Sequence, residues 1–235
     1  IVVGFAAFVA LAWWQFSANW LDAVTTMTGM AILVLSLVLL TGYAGQVSLG
    51  QFAMAGIGAF IAGRLVAELS VPFEVAAIIG IVGTMPLALI FALPALRTRG
   101  VNLAVITFGL GLVVWLVVFN NSDYTGGQAG TNVGSRTLFG IDVDAISQPE
   151  RYLALTATVL VLTMLFVRNV RRSKLGRQLV SIRSNERAAA SIGVNVVAVK
   201  LFAFMVASAI AALAGIMLAF RSPSIVYRDF DPFTS

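Results

Sequence analysis

Six stretches of this chain carry no Lys, Arg, Asp or Glu: 1–21, 23–63, 75–96, 100–122, 152–167 and 201–220. Nothing else in the sequence limits the fold as strongly. About 20 mostly apolar residues cross the hydrocarbon core as a helix, and a helix satisfies its backbone hydrogen bonds internally. A chain of 235 residues that is 60% hydrophobic and 11% charged cannot hide that surface in a soluble core. The expected fold is all-α: a polytopic membrane protein with about seven helices, near 1–14, 23–41, 46–66, 75–95, 101–120, 152–168 and 201–220.

The charges between the runs give an orientation. Segment 168–200 holds eight basic residues against Glu186, a net +7. Segment 121–151 holds Arg136 and Arg151 against Asp123, Asp142, Asp144 and Glu150, a net −2. The positive-inside rule makes the first cytoplasmic and the second external. Counting spans backward puts Arg97 and Arg99 inside and Glu68 and Glu74 outside. Arg64 fits this scheme poorly, because it sits near the outer end of its span. The net charge of +5 thus reflects topology and headgroup contact with membrane lipid. The basic segment has no interleaved aromatics, so no nucleic-acid partner is expected.

Several chemistries are excluded. There is no Cys and no His, hence no thiol chemistry, no His-ligated metal and no His proton relay. No phosphate-cradling GxxxxGK[ST] occurs, so the chain has no ATP site of its own, and no GxSxG occurs either. Apart from Arg64, no ionisable residue lies deep in a span, whereas ion-coupled carriers commonly place acids there. No catalytic residue, metal or bound cofactor is expected.

Three segments carry information. Residues 41–63 read TGYAGQVSLGQFAMAGIGAFIAG. Glycine permits close helix approach and a break in a helix, and broken helices at membrane depth line cavities in many transporters. Small-residue packing explains the glycines equally simply. The uncharged Gln46, Ser48 and Gln51 favour a path-lining role, because they solvate a polar solute without fixing a charge in the bilayer. The expected path residues are Gly42, Gly45, Gln46, Ser48, Gly50, Gln51 and Gly56, joined by Asn102 and Thr107 from the span after Arg99. For Thr107 a hydroxyl bonded back to its own helix is the plain alternative. The third segment, within 169–200, predicts a short helix over Arg183–Ile192. Asn185 caps it and Glu186 lies in its positive first turn. Ala188, Ala189 and Ala190 form a small, smooth face, Arg183 and Arg187 flank the helix, and Gly193 is the stop. An alanine face is poor for lipid burial and good for fitting a groove on another protein.

Three ordered motifs carry a family resemblance. GYAGQVSLGQFAMAGIGAFIAG at 42–63 resembles the glycine-rich motif of the inner-membrane permeases of branched-chain amino acid ABC transporters. LRTRGVNLAVITFG at 96–109, with TGGQAG at 125–130, is similar to the motif of one of the two permease subunit types. GRQLVSIRSNERAAASIGVNVVAVKLFAF at 176–204 resembles that subunit's ATPase-coupling loop, with Arg187 and Ala190 where an apolar residue and a glutamate are usual. The resemblance implies a type II-like ABC importer permease in a bacterial inner membrane. It implies a second permease subunit, two ATPase subunits that use ATP, and a soluble substrate-binding protein. On this reading 1–235 is one transmembrane permease domain, with an external loop at about 121–150 and a coupling loop at about 169–200. The start at Ile1 and the stop after SPSIVYRDFDPFTS suggest a piece of a longer chain. A passive channel for a small neutral solute such as urea or an amide is the alternative, and a membrane scaffold a more distant one. A facilitator has no use for a docking helix.

Overall fold

The computed structural model describes residues 18–98, 100–121, 125–126, 130–133, 137–138, 140–227 and 230. Among the described residues, six helices are long and apolar enough to cross a membrane: Asn19–Tyr43, Gln51–Leu69, Phe73–Ala92, Val101–Phe119, Pro149–Arg172 and Val196–Ala219. The seventh expected span, 1–14, lies outside them. So do Arg99, Asp123, Gly127, Ala129 and Arg136.

Helix α1 (Ala18–Leu37) ends in a π-helical turn, Val38–Tyr43. Residues 44–50 are not helical, and α2 (Gln51–Leu69) follows. Helix α3 is Phe73–Ala92, closed by a 3-10 turn at Pro94–Leu96. Helix α4 (Val101–Val114) also ends in a π turn, Trp115–Phe119. Helix α5 (Pro149–Arg172) runs well past the expected 152–168, with Pro149 in its first turn and Arg171 and Arg172 in its last. Helices α6 (Lys174–Ser184), α7 (Glu186–Ser191) and α8 (Val196–Ala219) complete the bundle. Four two-residue strands form two pairs. Strand β1 (Thr131–Asn132) pairs antiparallel with β4 (Ser224–Ile225), and β2 (Thr137–Leu138) with β3 (Ile141–Asp142).

Helix α8 is central and packs against α1, α2 and α3, while α5 lies on α1. Small residues allow the close contacts. A Cβ on Gly58 of α2 would lie 2.6 Å from the Ala212 Cβ of α8. A Cβ on Gly215 would run into the Ala55 backbone, and one on Gly80 of α3 would lie 2.9 Å from the Gly58 carbonyl oxygen. Apolar lipid offers no hydrophobic drive between helices, so contact of this kind is what holds them. Thr25, Thr28, Thr84, Thr156 and Thr163 donate their hydroxyls to carbonyls three or four residues back, which hides them inside their own helices. Tyr152 of α5 donates to the Met217 carbonyl of α8 at 2.6 Å.

The bundle has two distinct ends. At one lie α6, α7, Tyr43 and the 3-10 turn, with the Arg171 guanidinium 5.9 Å from the centre of the Tyr43 ring. At the other lie the β1–β4 pair and Arg221, which pairs with Asp22 at 2.9 Å. Arg64, the misfit of the charge pattern, is matched one turn along by Glu68 at 2.6 Å. The Thr125–Gly126 turn is a packing feature: Gly126 and Gly130 have φ of +71° and +68°, and a Cβ on Gly130 would meet the Ile225 backbone.

Candidate functional site

The glycine-rich segment holds a non-helical connection, 44–50, between α1 with its π turn and α2, and its position is specific. Expected as helix from 46, the chain becomes helical only at Gln51. Gly45 has φ +66°, a conformation that favours glycine, and a Cβ there would lie 2.8 Å from the Arg183 Cγ. The Arg183 guanidinium donates to the Gly42 carbonyl. Four residues on, the Leu49 N–H donates to the Thr107 Oγ1 at 3.1 Å. Thr107 stands six residues into α4, about 9 Å along its axis from Val101 at 1.5 Å per residue. The non-helical segment therefore enters the bundle from the α6–α7 end, and α2 begins at membrane depth.

Thr107 serves both readings made for it. Its hydroxyl donates back to the Leu103 and Ala104 carbonyls, both at 3.0 Å, and its oxygen accepts from Leu49. It fastens the broken segment to α4. Gly50 and Gly56 are close-approach positions. Cβ atoms there would lie 2.6 Å from the Phe91 ring and 2.5 Å from the Phe119 ring. A large residue at either would disturb the bundle itself, so neither alone separates lining from packing. Gly42 meets only Val38, at an ordinary 3.6 Å.

The three polar residues of the segment do not share one cavity. Ser48 and Gln51 line an open groove of about 380 Å3 with Met30, Leu33, Val34, Leu37, Leu49 and Phe52. Gln46 belongs to a chamber of about 70 Å3 on the other side, with Gly45, Thr98, Leu103, Arg183, Glu186 and Lys200. Both polar atoms of the buried Gln46 amide lack a hydrogen-bond partner, as does the Gln51 Oε1. Asn102 joins neither: it is exposed at the start of α4, on a different face from Thr107.

The expected docking helix is two helices. Asn185, at φ −157° and ψ 108°, divides them, so Arg183 belongs to α6. The Asn185 side chain caps α7, accepting from the Arg187 and Ala188 N–H groups at 3.1 Å each. At the other end Gly193 (φ +83°) donates to the Ala190 carbonyl and Val194 to the Ala189 carbonyl, a Schellman stop. Ala189 is buried against the bundle, contrary to the smooth outer face expected of it. A helical turn has one inward side, and Ala189 occupies it. The outer side presents Arg187, Ala188, Ala190 and Ile192, the last 75% exposed.

Lys200 is the residue that sequence reasoning undervalued. Counted as a loop charge, it is 4% exposed. Its ammonium donates to the Glu186 carboxylate and to the Ala95 carbonyl, each at 3.0 Å. It therefore ties α7 and α8 to the end of α3. The available signal was its place as the single charge opening an otherwise uncharged span. Together, the Arg183–Gly42 bond and the Lys200 contacts join the α6–α7 pair to the broken segment and to α3.

A family model described as "Branched-chain amino acid transport system / permease component" matches residues 19–235. The high-affinity branched-chain amino acid transport system permease protein LivM of Escherichia coli (strain K12) is 32% identical over 246 residues, covering 94% of this chain and 57% of that protein. The protein of the same name from Salmonella typhimurium (strain LT2) is 29% identical over 244 residues, with the same coverage. The chain thus spans little more than half the length of these curated relatives. No solved structure matches.

Proposed function

The chain belongs to the branched-chain amino acid transport permease family, and from that premise we propose that it forms, with a second permease subunit, the membrane path of an ATP-driven importer of branched-chain amino acids. It is a multi-pass membrane protein and a transport component. The proposal adds the bacterial inner membrane, two ATPase subunits that dock on the α6–α7 end, and a soluble binding protein at the opposite end. In that arrangement 169–200 is cytoplasmic and 121–150 external, within a permease domain that takes in the whole of 1–235.

One observation carries this reading. The exposed helix α7 is fastened by Glu186–Lys200 to α8 and to the turn after α3, and its neighbour α6 by Arg183 to the Gly42 carbonyl, where the chain leaves α1 for the non-helical segment. A free-standing facilitator has no need of a capped, outward-facing helix joined to its own broken span. On this reading ATP hydrolysis belongs to separate ATPase subunits. A short helix with an alanine face brings its backbone close to a partner, and Ile192 supplies an apolar knob. Closure of the ATPases would then pass as a rigid displacement into α6, α7 and the Gly42–Gln46 segment.

The test is Ala188→Trp, measured by co-purification with the ATPase, substrate-stimulated ATP hydrolysis and vesicle uptake. Ala188 points outward, so the protein should insert and fold normally while losing coupling. Ala189→Trp is the contrasting variant, expected to unfold the α7 region because Ala189 points inward. Gly193→Val should weaken docking by unravelling the stop, since a β-branched residue at positive φ costs about 1–2 kcal/mol. Normal uptake and ATP hydrolysis in Ala188→Trp would return α7 to a helix lying on lipid.

A further inference from the structure

The broken segment puts the start of α2 at membrane depth and leaves an open groove in front of it. The first N–H groups of a helix have no acceptor within the helix, and its dipole is positive there. Gly50 provides no side-chain cap. Beside this helix start, Gln51 is 3% exposed and its Oε1 has no partner. Ser48, 1% exposed, accepts from the Gly50 N–H at 3.3 Å. The rest of the groove is apolar, with Met30, Val34 and Leu37 along α1 and Phe52 along α2. Among the described residues, no charged side chain lines it.

We infer that this groove is the membrane-depth binding site for the substrate, a neutral amino-acid zwitterion with an aliphatic side chain. The inference rests on the importer reading and assigns it a location. The carboxylate meets the N-terminus of α2, where helix dipole and free N–H groups favour an anion. The ammonium donates to the Gln51 Oε1, which lacks a donor. The side chain lies along Met30, Val34, Leu37 and Phe52. The pairing of groups selects the ligand. A simple anion would leave Oε1 unmet and place a negative charge beside it. A lipid tail would leave both polar groups unmet. An acidic or basic amino acid would bring a net charge for which the groove has no counter-charge.

A second cavity of about 230 Å3 adjoins the groove at the far end of the bundle, lined by Thr26, Leu218, Arg221, Ser222, Ser224 and Ile225 among others, and it shares Met30 and Phe52 with the first. The Phe52 ring packs against Phe230, with centroids 5.7 Å apart.

Residues 1–235 hold no cysteine, so a single introduced thiol is the only one among them. Ser48→Cys and Val34→Cys, each in the assembled transporter in vesicles, are labelled with a maleimide with and without leucine. Val34 is 53% exposed, so Val34→Cys disturbs no packing and covers the case in which Ser48→Cys misfolds. Leucine should slow labelling of both several-fold. Lysine, glutamate, isoamylamine and isocaproate should not, because each lacks neutrality or one of the two charged groups. Val113→Cys, on an exposed face of α4, should be indifferent to all. Gln51→Met should raise the KM for leucine about tenfold, the cost of one hydrogen bond to a charged group. Labelling indifferent to leucine in both variants, or equal protection by isoamylamine, overturns the site while uptake by the unaltered transporter persists. Absence of leucine uptake by the unaltered transporter would instead refute the importer reading.

Discussion

The α2–α8 seam and the joint around Lys200 both hold helices together, by opposite means. The seam is built from absence. Gly58 faces Ala212 and Gly215 faces Ala55, with backbones so close that an added carbon has nowhere to go. The joint is built from charge. Lys200, Glu186 and the Ala95 carbonyl meet beside a small chamber into which Gln46 brings an unpaired amide. Close-packed surfaces have one arrangement and resist sliding. Charged groups instead hold their partners by direction and distance, and removing one of them undoes the joint without opening the bundle. The difference puts close packing in the middle of the bundle and charge-bonded contacts at the α6–α7 end, where the proposed motor attaches.

The sharpest way to break this comparison is Gly215→Leu. No rotamer avoids the Ala55 backbone, so the seam should open at a cost on the order of 3 kcal/mol or more. Thermal unfolding in detergent should show a large loss, with little folded protein recovered. A near-normal melting temperature would mean that the seam has slack. Next comes Lys200→Met, which takes the ammonium from the Glu186 carboxylate and the Ala95 carbonyl. Breaking a buried pair from one side costs about 3 kcal/mol. The expected phenotype is a folded but uncoupled transporter, in which ATP hydrolysis no longer responds to substrate. Adding Glu186→Gln should restore part of the stability and none of the coupling. Restored coupling in the double variant would reduce the joint to mere packing. The smallest effect is expected from Thr107→Val, which removes the acceptor for the Leu49 N–H at a cost of about 1 kcal/mol. Hydrogen exchange should rise at Leu49 and Gly50 and stay unchanged at Gly58.

The spans that form the seam were legible in the sequence, their pairing was not, and little of the joint was. Charge-free runs mark spans because the bilayer imposes one length and one backbone solution on all of them. Asn185 and Gly193 mark the two ends of α7 because caps are local chemistry. The break was legible as composition and not as position: the helix begins at Gln51 because Leu49 is held by Thr107, 58 residues away. The contact of Lys200 with Ala95 spans 105 residues, beyond the reach of any local pattern. The inward turn of Ala189 depends on how α7 docks against the bundle, which periodicity in a six-residue helix cannot fix. Arg183 was grouped with α7 although the Asn185 cap, two residues on, starts α7 at Glu186 and leaves Arg183 to the helix before it.

The central place of α8 bears on how the protein is made. Chains emerge N-terminus first, and α8 is the last of the six described spans to leave the ribosome. The faces of α1, α2 and α3 that surround it, with Gly29, Ala55, Gly58 and Gly80, must therefore wait in lipid around a vacant centre. The partners of Lys200 are all synthesised before it. When α8 inserts, its lysine finds a socket already prepared, and that one event both fills the core and latches α7. Nascent chains stalled before Val196 should accordingly be the ones most readily seized by membrane quality control.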